Sequence, residues 1–460
     1  MQSSQSLFAP VALLPNGWET DVRIDIDNQG WIRSVDSNAV AHKHDARLSN
    51  RLLLPSPANV HSHAFQRALA GRTQRRGSSD DSFWSWRDLM YRLVGALTPD
   101  TLGAITAQAQ MEMLEAGFAA VAEFHYVHHD RDGKPYQDVA ELSARVMEAA
   151  QQTGIGLTLL PVVYCAGGMD GSPPTHEQRR FACTADEYAR LWQAAAPTVA
   201  GGPHDWRLGV APHSLRAAPL EALNMATSLS PVEPVHIHIA EQRLEVEQVR
   251  AARGARPVEW LLEHCDVNER WCLIHATHST DQERSDIAER GAVVGLCPLT
   301  EADLGDGFFA AQTFLRQGGK IGLGTDSNVR ISLPEEIKML EYGQRLRHQR
   351  RNVLAEPEAS TGRTVYNTVL AGGAQALGRQ TGRIEPGYLA DFVSLDREAI
   401  ELVELTDDDA LDAWIFSSNQ RLVKDVWSAG RQVVVNGRHI AHGEIETAFR
   451  KAMRAIALAI

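Results

Sequence analysis

The residues able to do chemistry in this chain are histidines and carboxylates that recur along it: His61 and His63, His213, His238 with Glu241, His275, and Asp326. Neutral imidazoles and a carboxylate are the donors of a zinc-type site. Such a site takes three or four N/O ligands, keeps a position for water and needs a neighbouring group to move protons. His61-Ser62-His63 closes the apolar run from Leu52 to Val60. On a strand, side chains two apart share a face, so both imidazoles point at one place. His236 and His238 have the same spacing, which leaves both open, although His238 lies nearer the C-terminal end of its run. Each residue also has an ordinary reading: His213 or His275 as a hydrogen-bonded structural histidine, Asp326 as a helix cap. Those readings leave unexplained why all of them fall at the ends of successive apolar runs.

Positioning such a set requires elements that converge. Apolar runs over 51–63, 119–125, 156–164, 207–213, 235–241, 271–275, 292–297 and 320–327 alternate with helical patterns, for instance over 138–153, 219–228, 280–290 and 334–349. Alternating strands and helices make βα units around a parallel sheet, and eight of them predict an α/β fold of the (β/α)8 TIM-barrel type over 55–380. Enzymes of this architecture carry their chemistry at the C-terminal ends of the strands, where these histidines and carboxylates fall. Residues 1–54 and 381–460 have strand-and-turn texture instead, with a hairpin pattern over Val22–Val35. A small β-sandwich domain built from both chain ends is expected there, with a helix over 444–459 closing the chain.

Composition excludes several classes. A net charge of −13 disfavours nucleic acid and anionic membrane surfaces as partners. No apolar run reaches the roughly 18 residues of a membrane span, and Met1-Gln2-Ser3-Ser4-Gln5 does not read as a signal peptide, so a soluble cytoplasmic protein is expected. Five cysteines, scattered and never spaced Cys-x-x-Cys, argue against a disulfide framework and a thiolate zinc site.

The chain resembles the amidohydrolase superfamily over nearly its whole length, with His-x-His on the first strand, histidines after the fifth and sixth, and an aspartate after the eighth. Longer stretches, 61–68, 81–91, 122–129, 213–216, 236–242 and 300–307, resemble a branch that deiminates linear amidines with release of ammonia. The resemblance implies His61, His63, His238 and Asp326 as ligands of one divalent ion, Zn2+ by expectation. Binuclear members bridge two metals with a lysine at the end of strand four, and none of the six lysines here lies near His213. It further implies that His275 and Asp326 orient or deprotonate water, and that Glu241 carries a proton to the leaving nitrogen. The substrate would be a small anionic amidine. Two carboxylates call for planar cationic forks, which suits Arg216, with Gln66, Tyr126 and His213 as further contacts. Arg87 is another candidate, acting in its own site or, by analogy, in that of a neighbouring subunit, which would make the protein a homodimer. Two features depart from the family pattern. Pro55 is followed by Ser56 where Pro-Gly is usual, and Asn328 stands where relatives often carry a histidine.

Two other readings compete. An aromatic deaminase of the same superfamily, taking guanine, cytosine or an s-triazine, shares the metal site but needs a flat apolar slot in place of an arginine clamp. A metal-free scaffold would have no physical need to keep the whole ligand set.

Overall fold

The structure, a computed structural model, describes residues 4–74, 83–418 and 421–457. Eight short strands form a ring in chain order: Ala58–Ser62, Ala120–His125, Gly156–Val163, a fourth in two pieces (Arg207–Leu208 and Ala211–Pro212), Val235–Ile239, Trp271–His275, Val293–Leu296 and Lys320–Leu323. All neighbouring strands that pair within the ring pair in parallel, in two arcs of strands one to four and five to eight. Isolated parallel bridges join the arcs at Val210/Val235 and Ser214/His238 on one side and at Ser62/Asp326 on the other. These strands are almost wholly buried because helices cover the outside of the ring and side chains fill the inside. That explains runs that read as continuously apolar.

The run expected as one strand over 51–63 is two. Arg51–Pro55 belongs to the terminal sheet and Ala58–Ser62 to the ring. Pro55 and Pro57 lack the N–H that a continuous ladder would use, and Ser56 between them donates from its N–H to Asp391 O at 2.9 Å and from its hydroxyl to Gly117 O at 2.6 Å. The helices Glu141–Thr153, Leu220–Leu229, Asp281–Glu289 and Leu333–His348 lie where the periodicity places them, to within a few residues. Helix Thr361–Leu377 crosses the N-terminal end of the ring, so close that a Cβ on Gly372 would meet Ile321 O at 2.0 Å. The end opposite the chemistry is thereby sealed.

Both chain ends build one nine-stranded sheet, in which Arg51–Pro55 pairs with the N-terminal strand Gln5–Leu14 on one side and with Phe392–Asp396 on the other. The sheet curls into a sandwich-like layer around Leu7, Val22, Ile24, Leu53, Phe392 and Trp427. Two of its hairpin turns meet across the layer: Gly30 packs on Ala429, where a Cβ would sit 2.0 Å from the carbonyl oxygen, and Gln5 Nε2 donates to Gly430 O at 2.5 Å.

A buried ionic network ties this sheet to the ring. Arg379 pairs with Asp205 at 3.1 Å and Asp391 at 3.0 Å, while Arg431 reaches the same Asp205 at 2.8 Å. Burial would raise the Asp205 carboxyl, but the two guanidiniums hold it well below the usual carboxylate range. A depressed carboxylate contributes stability at neutral pH, and that contribution is lost as the pH falls below its ordinary value of 3.8 towards the folded value. Removing one partner of a buried pair costs about 3–5 kcal/mol. Arg379→Met is therefore expected to lower the urea unfolding free energy by about that amount near neutral pH, and the deficit should shrink in acid as the abandoned carboxylates protonate. An equal deficit at both pH values would contradict this account.

Candidate metal centre

His61 and His63 end the first strand, His238 lies one residue from the end of the fifth, and Asp326 follows the eighth. Their donor atoms lie within 4.8 Å of one another, and all four residues are buried. His63 Nδ1 donates to Phe124 O at 2.9 Å and His238 Nδ1 to His213 O at 3.0 Å, so each ring turns its Nε2 lone pair towards the common point. His61 Nε2 lies 3.0 Å from His238 Nε2, and Asp326 Oδ1 lies 3.4 Å from both His61 Nε2 and His63 Nε2. The His61 ring packs edge-on against Phe124, its Nδ1 without a partner among the described residues. With its Nδ1 proton on His213 O, His238 offers a lone pair at this point, and a cation bound there would take those of His61 and His63 as well. Three nitrogens and one carboxylate oxygen are a suitable donor set for a divalent ion.

Burial drives the histidines neutral, the form that ligates: His61 falls to about 3, and His63 and His238 are also lowered. Burial acts against the Asp326 carboxylate, yet His61, His63 and His275 around it hold it well below its ordinary value. His236, which spacing left open, points into a lower layer of the ring and donates from Nε2 to Ala376 O at 2.8 Å, in the helix that seals the far end.

A second tier surrounds these donors. His275 Nε2 lies 3.8 Å from both Asp326 Oδ2 and Glu241 Oε1, and its Nδ1 lies 3.2 Å from Glu301 Oε1. Burial disfavours a charged His275, but the three carboxylates raise its pKa to about 10. Burial raises Glu241 to about 7 against the charge of His275. Glu245 accepts the N–H groups of Ala240 at 3.1 Å and Glu241 at 2.9 Å, bracing the turn that aims Glu241. Asp306, which burial pushes up to about 9, accepts from Gln242 Nε2. Glu245, Glu301 and Asp306 had no role in the sequence reading. Glu301 and Asp306 lie in the 300–307 stretch, and Glu245 is an acid in the first turn of helix Arg243–Arg253, the one local signal available for it.

Above the donors opens a cavity. Its walls carry every substrate-contact candidate: Gln66, Arg87, Tyr126, His213 and Arg216. Gln66 Nε2 donates to the Tyr126 hydroxyl at 2.8 Å, and His213 Nδ1 lies 3.2 Å from Ser214 Oγ. Arg87, on helix Phe83–Ala96, stacks 5.5 Å above Tyr91 and lines the cavity of its own chain. Asp81 and Ser82, and the side chains of Phe83, Trp84 and Ser85, which the 81–91 stretch includes, lie outside the described residues. The walls also hold Tyr164, which the sequence reading passed over. Asn328 is not among the residues that line the cavity. Fully buried, it accepts from Thr325 Oγ1 at 2.6 Å and donates to Ser62 Oγ at 3.2 Å and Asp326 O at 3.1 Å, clipping the first strand to the eighth. A further donor group, His275, Cys297 and Asp326, is a poor second metal site, because burial keeps the Cys297 thiol protonated.

The two histidines of the fifth strand give a direct test. His238→Ala should strip the bound divalent ion, read by elemental analysis, whereas His236→Ala should keep the ion and lower the melting temperature. Equal metal contents in the two variants would contradict the ligand assignment.

Residues 52–433 match the amidohydrolase family, and residues 4–49 match the N-terminal domain of formimidoylglutamate deiminase HutF. The chain is 46% identical to formimidoylglutamate deiminase of Pseudomonas aeruginosa, over 96% of this chain and 98% of that protein. It is 29% identical to a 5-methylthioadenosine/S-adenosylhomocysteine deaminase of Natronomonas pharaonis, over 76% and 74% of the two chains. Among solved structures, an amidohydrolase from Brucella melitensis superposes with a TM-score of 0.94 at 47% identity, covering 98% of this chain and all of the other. The donor set at the strand ends, the cavity above it and these matches at both ends of the chain place it in the amidohydrolase family, within the formimidoylglutamate deiminase group.

Proposed function

We propose that this chain hydrolyses N-formimidoyl-L-glutamate to N-formyl-L-glutamate and ammonia, with one zinc ion held by His61, His63, His238 and Asp326. The observation that carries this reading is the pair of guanidiniums, Arg87 and Arg216, in the walls of a cavity whose floor is the donor cluster. Two cationic forks suit a small dianion and are a misfit for the flat uncharged ring of an aromatic deaminase substrate. The 46% identical relative carries the corresponding activity in its name.

When bound, the ion lowers the pKa of a coordinated water from about 15.7 towards roughly 7. The chain's own residues do the rest. Arg216 and Arg87 hold the carboxylates, with Gln66, Tyr126 and His213 as neutral contacts, so that the formimidoyl carbon faces the strand ends. Asp326 accepts the proton of the attacking water, and His275, charged and 3.8 Å from Asp326 Oδ2, orients that exchange. Glu241, poised near neutrality, gives a proton to the departing nitrogen so that it leaves as ammonia. The C=N carbon gains the water oxygen and loses NH3, which balances the reaction without a further reactant. A cytoplasmic homodimer belongs to the same proposal, with sedimentation velocity as the check on the dimer.

Ammonia release by purified, metal-analysed enzyme, compared across N-formimidoylglutamate, N-formimidoylaspartate, guanine and cytosine, tests the reading. N-formimidoylglutamate should be turned over best, and turnover of guanine or cytosine alone would sink it. Glu241→Gln should lower kcat by about 10²- to 10⁴-fold, the scale of general acid catalysis, at unchanged metal content. Arg216→Met should abolish turnover of the acidic substrate, and unchanged activity in that variant would equally refute the clamp.

A further inference from the structure

We infer that Tyr164, oriented by Gln178, is a further specificity-determining residue, whose hydroxyl donates to the same substrate carboxylate that Arg216 holds. The inference rests on the dicarboxylate reading given above.

Tyr164 follows directly on the third strand and borders the cavity, with its ring edge-on to His213 at 4.8 Å. Its hydroxyl oxygen accepts from Gln178 Nε2 at 2.9 Å. The orientation of that amide is fixed by chemistry, because Thr175 N–H donates to Gln178 Oε1 at 2.8 Å and a backbone N–H can only donate. Gln178 is itself buried, so the pair is rigid. Arg216, a donor without acceptor capacity, bears on the same hydroxyl. With donors on its oxygen, Tyr164 has only its hydroxyl hydrogen left to offer, and no protein acceptor takes it among the described residues. A buried O–H without an acceptor is costly, and an anionic oxygen beside Arg216 satisfies it. Burial also pushes the phenol above its ordinary value, which keeps it a donor at neutral pH. The Gln66–Tyr126 pair looks alike but lacks the anchor, since Gln66 Oε1 has no partner among the described residues.

The experiment is steady-state kinetics on the zinc-loaded, full-length enzyme with N-formimidoylglutamate and two analogues that each keep one carboxylate, the N-formimidoyl derivatives of 4-aminobutyrate and 2-aminobutyrate. Tyr164→Phe should raise KM for N-formimidoylglutamate by roughly ten- to a hundredfold, the range for a hydrogen bond to a charged group, with kcat within a fewfold. The increase should persist with one analogue and vanish with the other, which lacks the carboxylate that Tyr164 meets. A purely structural role would penalise all three substrates alike, and that outcome overturns the assignment. Gln178→Glu keeps the Thr175 contact but turns a donor into an acceptor that draws the hydroxyl hydrogen away from the cavity. It should therefore raise KM in the wild-type background and add little on top of Tyr164→Phe; full additivity of the two changes overturns the role of Gln178. If the wild-type enzyme turns over N-formimidoylglutamate while Tyr164→Phe leaves KM within twofold, Tyr164 alone is refuted. If the wild type does not turn it over at all, the dicarboxylate reading is refuted.

Discussion

Closing the ring and placing the metal ligands are one interaction in this protein. His61 O accepts both Thr325 N–H at 3.0 Å and Asp326 N–H at 2.9 Å, and His63 N–H donates to Asp326 O at 2.9 Å. These bonds join the first strand to the eighth, and they also set the distance between the His-x-His pair and the aspartate. The approach is close enough that a Cβ on Gly324 would lie 2.8 Å from His61 N and O, so glycine is the residue the seam tolerates. Asn59 reinforces it by donating from Nδ2 to Thr325 Oγ1 at 2.7 Å and accepting from Thr325 N and His61 N at 3.2 Å. With Asn328 on the other side of Thr325, the seam is a continuous chain of buried hydrogen bonds. A slip of one residue would turn the histidines out of the ring, so fold closure and ligand register stand or fall together.

The burial that aligns the donors also sets their charge. Imidazoles buried in the ring lose their protons, leaving lone pairs that suit a cation, and the compensating negative charge sits in Asp326 at the seam. The second tier has the opposite problem, because Glu241, Glu301 and Asp306 are carboxyls gathered within a low-dielectric wall. Charging His275 between Glu241, Glu301 and Asp326 relieves part of the repulsion, and Asp306 relieves more by staying protonated near neutral pH. Part of the backbone strain in the chain lies where these groups meet. Ala240, His275, Ala276, Asp326 and Asn328 all have left-handed φ, between 43° and 70°. The strain falls at the ends of strands five, six and eight, where the chain must turn sharply to aim a side chain at the common point.

What was legible in the sequence follows from period and place. The eight strands could be located because a strand buried on both faces reads as an unbroken apolar run, and the His-x-His pair because strand side chains repeat every two residues. The same periodicity could not separate His236 from His238. That distinction depends on depth along the ring, and the helix that receives His236 lies well over a hundred residues further on. The break within 51–63 was equally hidden, because apolarity continues across Pro55-Ser56-Pro57 while the hydrogen-bond partner changes from the terminal sheet to the ring. Asn328, set apart in sequence by the missing histidine, proves to be a clip whose partners Ser62 and Thr325 belong to the first and the eighth strand ends, far apart in the chain and adjacent in the ring. Glu301, Tyr164 and Gln178 lie in a short helix, just past a strand end and in a 3-10 turn, none of which has a period to read, and Glu245 showed only as an acid in the first turn of its helix.

The division between strands and loops has a functional consequence. Donor residues sit at strand ends and are largely held by main-chain partners, Phe124 O and His213 O for the rings of His63 and His238 and His61 O for the aspartate, none of which depends on side-chain identity. Cavity-lining residues come instead from helix Phe83–Ala96, from the residue after the third strand, Tyr164, and from the turn after His213, and Tyr164, like the Gln66–Tyr126 pair, is held by a side-chain bond that one substitution can rewire. A floor anchored through the backbone survives changes in the walls, so the donor cluster can stay constant while the cavity lining changes. The exception is His213, whose carbonyl anchors His238 while its ring enters the cavity and packs against Tyr164. Through that residue the walls remain coupled to the floor, so a substrate that moves the His213 backbone also moves a ligand.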